Sequence, residues 1–307
     1  MGILKSIVKP KSLTDCSLDL SVRGKINDLI WRYGLNAERV KKYSSGKSEI
    51  ETPVSLQTEL IENGIAICQA NEFFDGDAQP VLASAFEYVR KIRESDKVRN
   101  ALKAGPVEGK LKDYIIHLVD FHEPLDGDNP LLRLALDERL LSTVAGYLGM
   151  WPMLHSVGAW LNFSNEDTAK ASQLWHRDPE DLKTVKVFIY LDEVGPTTGP
   201  FTYIARTQGF GEDCGKKPRH AHPRRIVDEE MKVVFPEDRW MECCGPEGTM
   251  IIADTVGYHR GGKVVEGERV LVTFTYTSGM PQTKRNLVLK DPPQRTLTPL
   301  QEAALKQ

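Results

Sequence analysis

Three side chains in this 307-residue sequence have the types and spacing that could hold a metal ion. His176 and Asp178 lie two positions apart, and on a β-strand such residues point to the same face of the sheet. His259 lies much later in the chain, which leaves room for the strands and the long loop that would bring it alongside. Two histidines and one carboxylate are the ligands of the triad that binds non-haem Fe(II) and leaves three metal positions open. The spacing therefore predicts an iron site at these residues.

Two cationic residues could bind an anion next to such a metal. Arg269 opens a predicted strand, and an arginine at the mouth of a barrel can hold a carboxylate through two parallel hydrogen bonds. A dicarboxylate co-substrate that chelates iron at one end would need such an anchor at the other. Lys186 shares one face of the predicted strand 185–191 with Phe188 and Tyr190. If that face lines the barrel, Lys186 is a candidate second contact for the co-substrate; if it faces solvent, it is an ordinary surface lysine.

The elements that would position these residues change in type along the chain. Apolar residues recur at helical spacing in the first half, within 26–33, 55–61, 80–102 and 130–148. Strands are predicted at 65–68 and 114–119, and, where the apolar period becomes two, at 157–163, 185–191, 200–204, 249–253 and 270–276. No helix-length segment separates most of the later strands. The second half is therefore expected to form an antiparallel barrel or sandwich.

We expect one principal domain, because no linker rich in Pro, Ser or Gly marks a boundary near residue 150. It spans residues 51–290, with helical support at 51–150 and a jelly-roll core at 151–280. Residues 1–50 are predicted to be a polar extension with a short helix, and residues 281–307 a C-terminal tail.

One segment, residues 206–239, breaks the rhythm of the strands. Connections of this length are usually lids, binding loops or disordered segments. It contains a basic cluster at 216–225, for which a solvated surface is the favoured interpretation.

The composition is that of an ordinary globular protein. The net charge is −3 and 27% of the residues are charged, so no basic excess points to nucleic acid. No apolar run approaches the length of a membrane span. Five scattered cysteines without a CxxC pair are typical of a reducing compartment, which favours a cytoplasmic location. A small molecule is the expected partner.

Five short motifs surround the predicted site residues. Residues 60–67 contain a helix end, a glycine and a strand, and residues 147–149 read Tyr-Leu-Gly. Residues 175–178 read Trp-His-Arg-Asp, and residues 199–204 read Gly-Pro-Phe-Thr-Tyr-Ile. Residues 257–261 read Gly-Tyr-His-Arg-Gly and follow a predicted strand. In this order, they are similar to motifs of one oxygenase family.

The chain resembles the phytanoyl-CoA dioxygenase family of Fe(II)/2-oxoglutarate-dependent oxygenases over about residues 56–277. The resemblance implies a mainly β fold with flanking helices, the cupin-like double-stranded β-helix or jelly roll. It also implies that His176, Asp178 and His259 bind Fe(II), and that Arg269 binds the distal carboxylate of 2-oxoglutarate. O2 is the second co-substrate. Such an enzyme hydroxylates a small-molecule C–H bond and releases succinate and CO2.

The sequence departs from the family pattern at two places. Ala205-Arg206-Thr207-Gln208 stands where the family has Pro-Gly-Ser-His, so the turn and the segment after it are expected to differ. Gly261 stands where a small polar residue often follows the distal histidine, which removes a possible hydrogen bond to the co-substrate.

Two alternative functions use the same three ligands. One is a non-catalytic jelly-roll binding protein with a vestigial metal site. The other is a zinc-dependent hydrolase. Neither gives a reason for Arg269 at the mouth of the barrel.

Overall fold

The computed structural model describes residues 26–46, 54–105, 112–209, 211–218 and 225–306. Its core consists of two antiparallel sheets. The strands are β1 (Ile65–Gln69), β2 (Ile115–Val119), β3 (Met153–Phe163), β4 (Val185–Tyr190), β5 (Phe201–Ile204), β6 (Trp240–Cys243), β7 (Thr249–Asp254), β8 (His259–Gly261) and β9 (Glu268–Thr277). The larger sheet has the order β1-β7-β4-β9-β3-β2 and the smaller sheet the order β6-β5-β8. This two-sheet arrangement is the double-stranded β-helix expected from the sequence.

Strand β4 shows how the two faces of the larger sheet differ. Val185, Val187 and Ile189 belong to the large apolar core that also contains the helices. Phe188 and Tyr190 point the other way, into the space between the two sheets. The alternation predicted for this strand is therefore confirmed, and its inner face lines a cavity.

Helices cover the outer face of the larger sheet, and most of them precede the jelly roll in the chain. A π-helix spans Ile30–Leu35. The α-helices are α1 (Ala37–Ser45), α2 (Val54–Asn63), α3 (Ala70–Phe73), α4 (Gln79–Arg93), α5 (Asp96–Ala104), α6 (Pro130–Ala135), α7 (Glu138–Leu148), α8 (Asp228–Lys232) and α9 (Pro299–Leu305). Short 3-10 turns lie at Gly76–Ala78, Ala171–Gln173, Pro196–Thr198 and Glu237–Arg239.

The prediction of a single helix over 130–148 was wrong. The Asp137 side chain accepts a hydrogen bond from the backbone N–H of Leu140 at 3.0 Å and so caps a new helix, α7. Ser95 caps α5 in the same way and divides the apolar stripe at 80–102 between two helices. Apolar periodicity continues across both breaks, because consecutive helices pack against the same sheet.

The described parts of the two flanking segments pack against the central elements. The indole N–H of Trp31, which is fully buried, donates to Asp181 at 2.9 Å. At the other end of the chain, Gln301 in α9 donates to the carbonyl of Leu136 at 2.8 Å. The division into 1–50, 51–290 and 281–307 stays a prediction, and residues 1–25 and 307 lie outside the described residues. Among the described helices, none is long and apolar enough to cross a membrane.

Candidate metal centre

The structure brings together the three residues predicted to bind iron. One donor atom each of His176, Asp178 and His259 lies within 4.8 Å of the other two. Nε2 of His176 is 3.7 Å from Oδ1 of Asp178, and Nε2 of His259 is 3.4 Å from Oδ2. The side chains are no more than 12% exposed. Three donors at this separation, on the wall of a cavity between the sheets, fit a transition-metal ion.

Direct backbone pairing holds the two histidines side by side. The N–H of His176 donates to the carbonyl of His259 at 2.9 Å, and the reverse bond is 3.0 Å long. The N–H of Asp178 donates to the carbonyl of Thr255 at 2.8 Å. Residues 175–178 thus form isolated bridges rather than a regular strand. His176 and Asp178 lie on one face, as predicted, because the backbone there is extended. The continuous strand expected at these residues is not formed in this described part of the chain.

Hydrogen bonds fix which nitrogen of each histidine can bind a metal. Nδ1 of His176 is 2.8 Å from the carbonyl of Leu174, and Nδ1 of His259 is 2.9 Å from the carbonyl of Gly257. A carbonyl only accepts, so each Nδ1 carries the proton and each Nε2 presents a lone pair toward Asp178. Burial, together with the neighbouring His259, holds the pKa of His176 well below its ordinary value. Neutral imidazoles with Nε2 turned inward are what a bound cation requires.

Arg269 lies in the same cavity and has unused hydrogen-bond donors. It opens β9 directly opposite Asn162 of β3, and its Nη2 donates to Oδ1 of Asn162 at 3.1 Å. Its Nε and Nη1 are buried and have no hydrogen-bond partner among the described residues. Burial lowers the pKa of Arg269, yet a guanidinium remains charged at neutral pH. A buried cation with free N–H groups fits a carboxylate that enters the cavity.

Glycine at position 261 leaves space beside this guanidinium. A Cβ atom there would lie 3.5 Å from Nη2 of Arg269 and 3.7 Å from the carbonyl of Ser172. Gly261, where the sequence departs from the family pattern, therefore lies in the wall of the cavity. It is next to Arg269, the residue predicted to bind a carboxylate.

Lys186 lies on the inner face of β4, but it is not an unpaired cation. Its Nζ is 2.7 Å from Oδ2 of Asp178 and 3.2 Å from Oε1 of Glu180. The other oxygen of Glu180, Oε2, is buried without a hydrogen-bond partner among the described residues. Glu180 was not predicted as a site residue, although it lies two residues after Asp178, the spacing that places residues on the same face of extended backbone. Whether Lys186 also contacts a co-substrate stays a prediction.

The cavity has a volume of about 240 Å³ and mixed walls. His117, Phe121 and Trp160 form an aromatic side, where their rings make edge contacts with one another. His117 lies in this wall outside the triad. Lys112 and Arg225 add positive charge to the lining. Such walls suit a small ligand with both apolar and polar parts.

The basic cluster at 216–225 is exposed at Lys216 and Lys217, as expected, but not at Arg225. The basic cluster at 216–225 was favoured as solvated surface, but Arg225 at its end lines the cavity. Residues 219–224 lie outside the described residues. The long segment 206–239 also contains the short helix α8.

Comparisons with known proteins identify the fold. No protein-family model matches the chain, and no match was found among curated proteins. Among solved structures, EctD from S. alaskensis, with 2-oxoglutarate and 5-hydroxyectoine, has a TM-score of 0.52 at 16% identity and covers 84% of this chain and 89% of its own. The non-heme alpha ketoglutarate dependent epimerase SnoN from nogalamycin biosynthesis has a TM-score of 0.50 at 13% identity, with coverage of 80% and 91%. At these identities the likeness shows a shared fold: the chain has the jelly-roll fold of these two proteins.

Proposed function

We propose that this protein is an Fe(II)- and 2-oxoglutarate-dependent dioxygenase that hydroxylates a C–H bond of a small molecule and releases succinate and CO2. The observation that carries the proposal is the pairing of a His-Asp-His triad with Arg269 in one cavity. Nε and Nη1 of this buried arginine have no hydrogen-bond partner among the described side chains and are suited to a carboxylate in the cavity.

Each residue of the cavity has a defined task in this proposal. Nε2 of His176, Nε2 of His259 and the Asp178 carboxylate hold the metal. Arg269, oriented by its hydrogen bond to Asn162, holds the distal carboxylate of 2-oxoglutarate. The bound iron would supply the oxidising chemistry with O2 and 2-oxoglutarate at its open positions.

The substrate is expected to be a small molecule. The cavity of about 240 Å³ is smaller than the roughly 300–1,000 Å³ of pockets for drug-sized ligands. The EctD structure contains 2-oxoglutarate, and SnoN is an alpha ketoglutarate dependent epimerase, which supports the choice of co-substrate. The predicted cytoplasmic location agrees with the lack of a disulfide at the four described cysteines, Cys68, Cys214, Cys243 and Cys244.

One experiment separates this proposal from the two alternatives. The purified protein is stripped of metal, then titrated anaerobically with Fe(II) and with Zn(II), and incubated with 2-oxoglutarate and O2. An oxygenase binds one Fe(II) and forms succinate slowly even without a substrate. A zinc hydrolase retains Zn(II) and consumes no 2-oxoglutarate. A vestigial site binds neither metal, and either of these last two results would reject the proposal.

A further inference from the structure

The residues directly before and after the two metal-site histidines in the chain point away from the site and contact one another. Neighbours of an inward-facing residue on extended backbone point to the opposite side. The four residues that flank the histidines along the chain are called here the outer clamp: Trp175, Arg177, Tyr258 and Arg260.

Two ring contacts cross from one histidine segment to the other within the outer clamp. The guanidinium carbon of Arg177 lies 4.1 Å from the ring centre of Tyr258. That of Arg260 lies 4.7 Å from the ring centre of Trp175. Each contact joins a neighbour of His176 to a neighbour of His259. The clamp therefore supports the backbone pairing of the two ligands from behind.

A single carboxylate of the segment 206–239 is bonded to both sides of the clamp. Oδ1 of Asp228 accepts a hydrogen bond from the indole N–H of Trp175 at 2.8 Å. The same oxygen accepts a hydrogen bond from Nη1 of Arg260 at 2.5 Å. Asp228 is the first residue of α8.

The Asp228 side chain is 37% exposed, but the chain just before it is anchored to the metal site. The N–H of Ile226 donates to the carbonyl of Trp175 at 2.9 Å, and the N–H of Trp175 donates to the carbonyl of Ile226 at 3.0 Å. An apolar cluster behind the metal site contains Trp175, Ile204, Ile226, Met231, Phe235 and Tyr258, all buried. The part of the segment at 225–235 is thus a back plate of the metal centre, with Arg225 reaching its cavity.

We propose that Asp228 is a positioning residue that couples docking of the back plate, residues 225–235, to the affinity of the metal centre. The inference rests on the metal centre of the proposed function. Groups that orient metal ligands typically change metal affinity by about 10–100-fold when they are removed. The coupling is reciprocal, so a bound metal must strengthen docking of the back plate by the same factor.

Asp228→Asn is the test, and Asp213→Asn is its matched control. Asp213 is a buried carboxylate of the same long segment, bonded to Arg239 at 2.8 Å and to Lys216 at 2.6 Å. Among the described residues, the Asp213 side chain pairs with these two cations and not with the outer clamp. The backbone carbonyl of the next residue, Cys214, accepts a hydrogen bond from Arg177 at 2.9 Å, and Asp213→Asn keeps that carbonyl. The variant should therefore destabilise the segment without acting directly on the histidines. Isothermal titration with Co(II) should show an affinity about tenfold weaker for Asp228→Asn and changed by less than about twofold for Asp213→Asn.

Proteolysis provides the reciprocal measurement. Saturating Co(II) should slow cleavage within 206–239 in the natural protein and in Asp213→Asn, and slow it much less in Asp228→Asn. If Asp228→Asn does not fold, Trp175→Phe removes the indole donor but keeps a large ring, and it should weaken Co(II) binding in the same direction.

The possible failures are distinguishable. A natural protein that binds no Co(II) would reject the metal centre itself. If the natural protein binds Co(II) and Asp228→Asn binds it with the same affinity, the coupling is rejected and the metal centre stands. If Asp228→Asn does not fold, the affinity of Trp175→Phe decides in the same way.

Discussion

The ammonium group of Lys186 lies 2.7 Å from Oδ2 of Asp178, closer than either histidine nitrogen lies to that carboxylate. One oxygen of the carboxylate therefore pairs with a cation of the protein, and in the proposed function the other would bind the metal. Glu180 offsets the remaining charge of Lys186 at 3.2 Å. A lysine in this position orients a metal ligand, and this task differs from the co-substrate contact predicted from strand parity.

Lys186→Met should separate the two roles. If Lys186 orients Asp178, we expect kcat for 2-oxoglutarate turnover to fall by about tenfold and KM for 2-oxoglutarate to stay within about twofold. Steady-state succinate formation at saturating Fe(II) measures both constants. A rise in KM as large as that of an Arg269 variant would assign Lys186 to the co-substrate.

Removal of either histidine ligand should abolish metal binding. In His176→Ala or His259→Ala only two protein ligands remain, and we expect neither Fe(II) binding nor 2-oxoglutarate turnover. His117→Ala is the control, because this histidine lines the same cavity but lies outside the triad. Full Fe(II) binding by a triad variant would show that the ligands are wrongly assigned.

Arg269→Ala should weaken 2-oxoglutarate binding. A charge-assisted hydrogen bond contributes about 1.5–3 kcal/mol, so the apparent KM should rise by about ten- to hundredfold. Arg269→Lys keeps the charge but cannot form two parallel hydrogen bonds, and its KM should be intermediate. Fe(II) affinity, measured separately, should not change. An unaltered KM in Arg269→Ala would place the carboxylate elsewhere.

Much of the jelly roll was predictable because residue types alternate along its strands, and successive side chains of a strand point to opposite faces of the sheet. In β4, Val185 and Val187 face the helices while Lys186 and Phe188 face the cavity, as parity required. The distant His259 was predictable from its motif. The short strands β6 and β8 were not predicted, since buried and exposed residues do not alternate along β6 and β8 has only three residues.

The remaining features depend on contacts that no local pattern records. Asp228 reaches Trp175 and Arg260, residues far from it in the chain, and nothing in the sequence around Asp228 indicates this. The sequence left open whether Lys186 faces the cavity or the solvent, because alternation along a strand does not show which face is inside. The break between α6 and α7 was not predicted, because the apolar period continues across it; the signal for it is Asp137, since aspartate is a frequent N-cap.

The stability of the protein should rise between about pH 8 and pH 10.5 through Lys183. Burial lowers the pKa of this lysine to about 8, and its Nζ donates to the carbonyl of Tyr147 at 3.1 Å. The unfolded chain binds the proton more tightly than the folded chain in this window, so the free energy of unfolding increases with pH. We expect about 1–2 kcal/mol, since the side chain is partly exposed.

Lys183→Met should lack this contribution. Chemical unfolding of both proteins at pH 7.5 and pH 10 gives the difference directly, and tyrosine ionisation is common to both. A difference between natural protein and variant that does not depend on pH would contradict the assignment.

Arg206 has a backbone φ of +67°, which is in the left-handed region that favours glycine. In the resemblance noted from the sequence, Arg206 stands where the phytanoyl-CoA dioxygenase motif has glycine. Its N–H donates to the carbonyl of Asn63 at 2.9 Å, and its carbonyl accepts from the N–H of Asp213 at 2.9 Å. These bonds hold the turn in the strained conformation.

Arg206→Gly should therefore stabilise the protein. Relief of the left-handed strain, about 1–2 kcal/mol, exceeds the roughly 0.4–1 kcal/mol by which glycine favours the unfolded chain. Loss of the exposed contact with Glu212, 3.3 Å away, should matter little. Arg206→Ala is the control, because it removes the same contact but keeps a Cβ atom and the strain. Urea unfolding should give a higher midpoint for the glycine variant than for both the alanine variant and the natural protein. Equal midpoints for the two variants would show that the positive φ stores no strain that glycine can relieve.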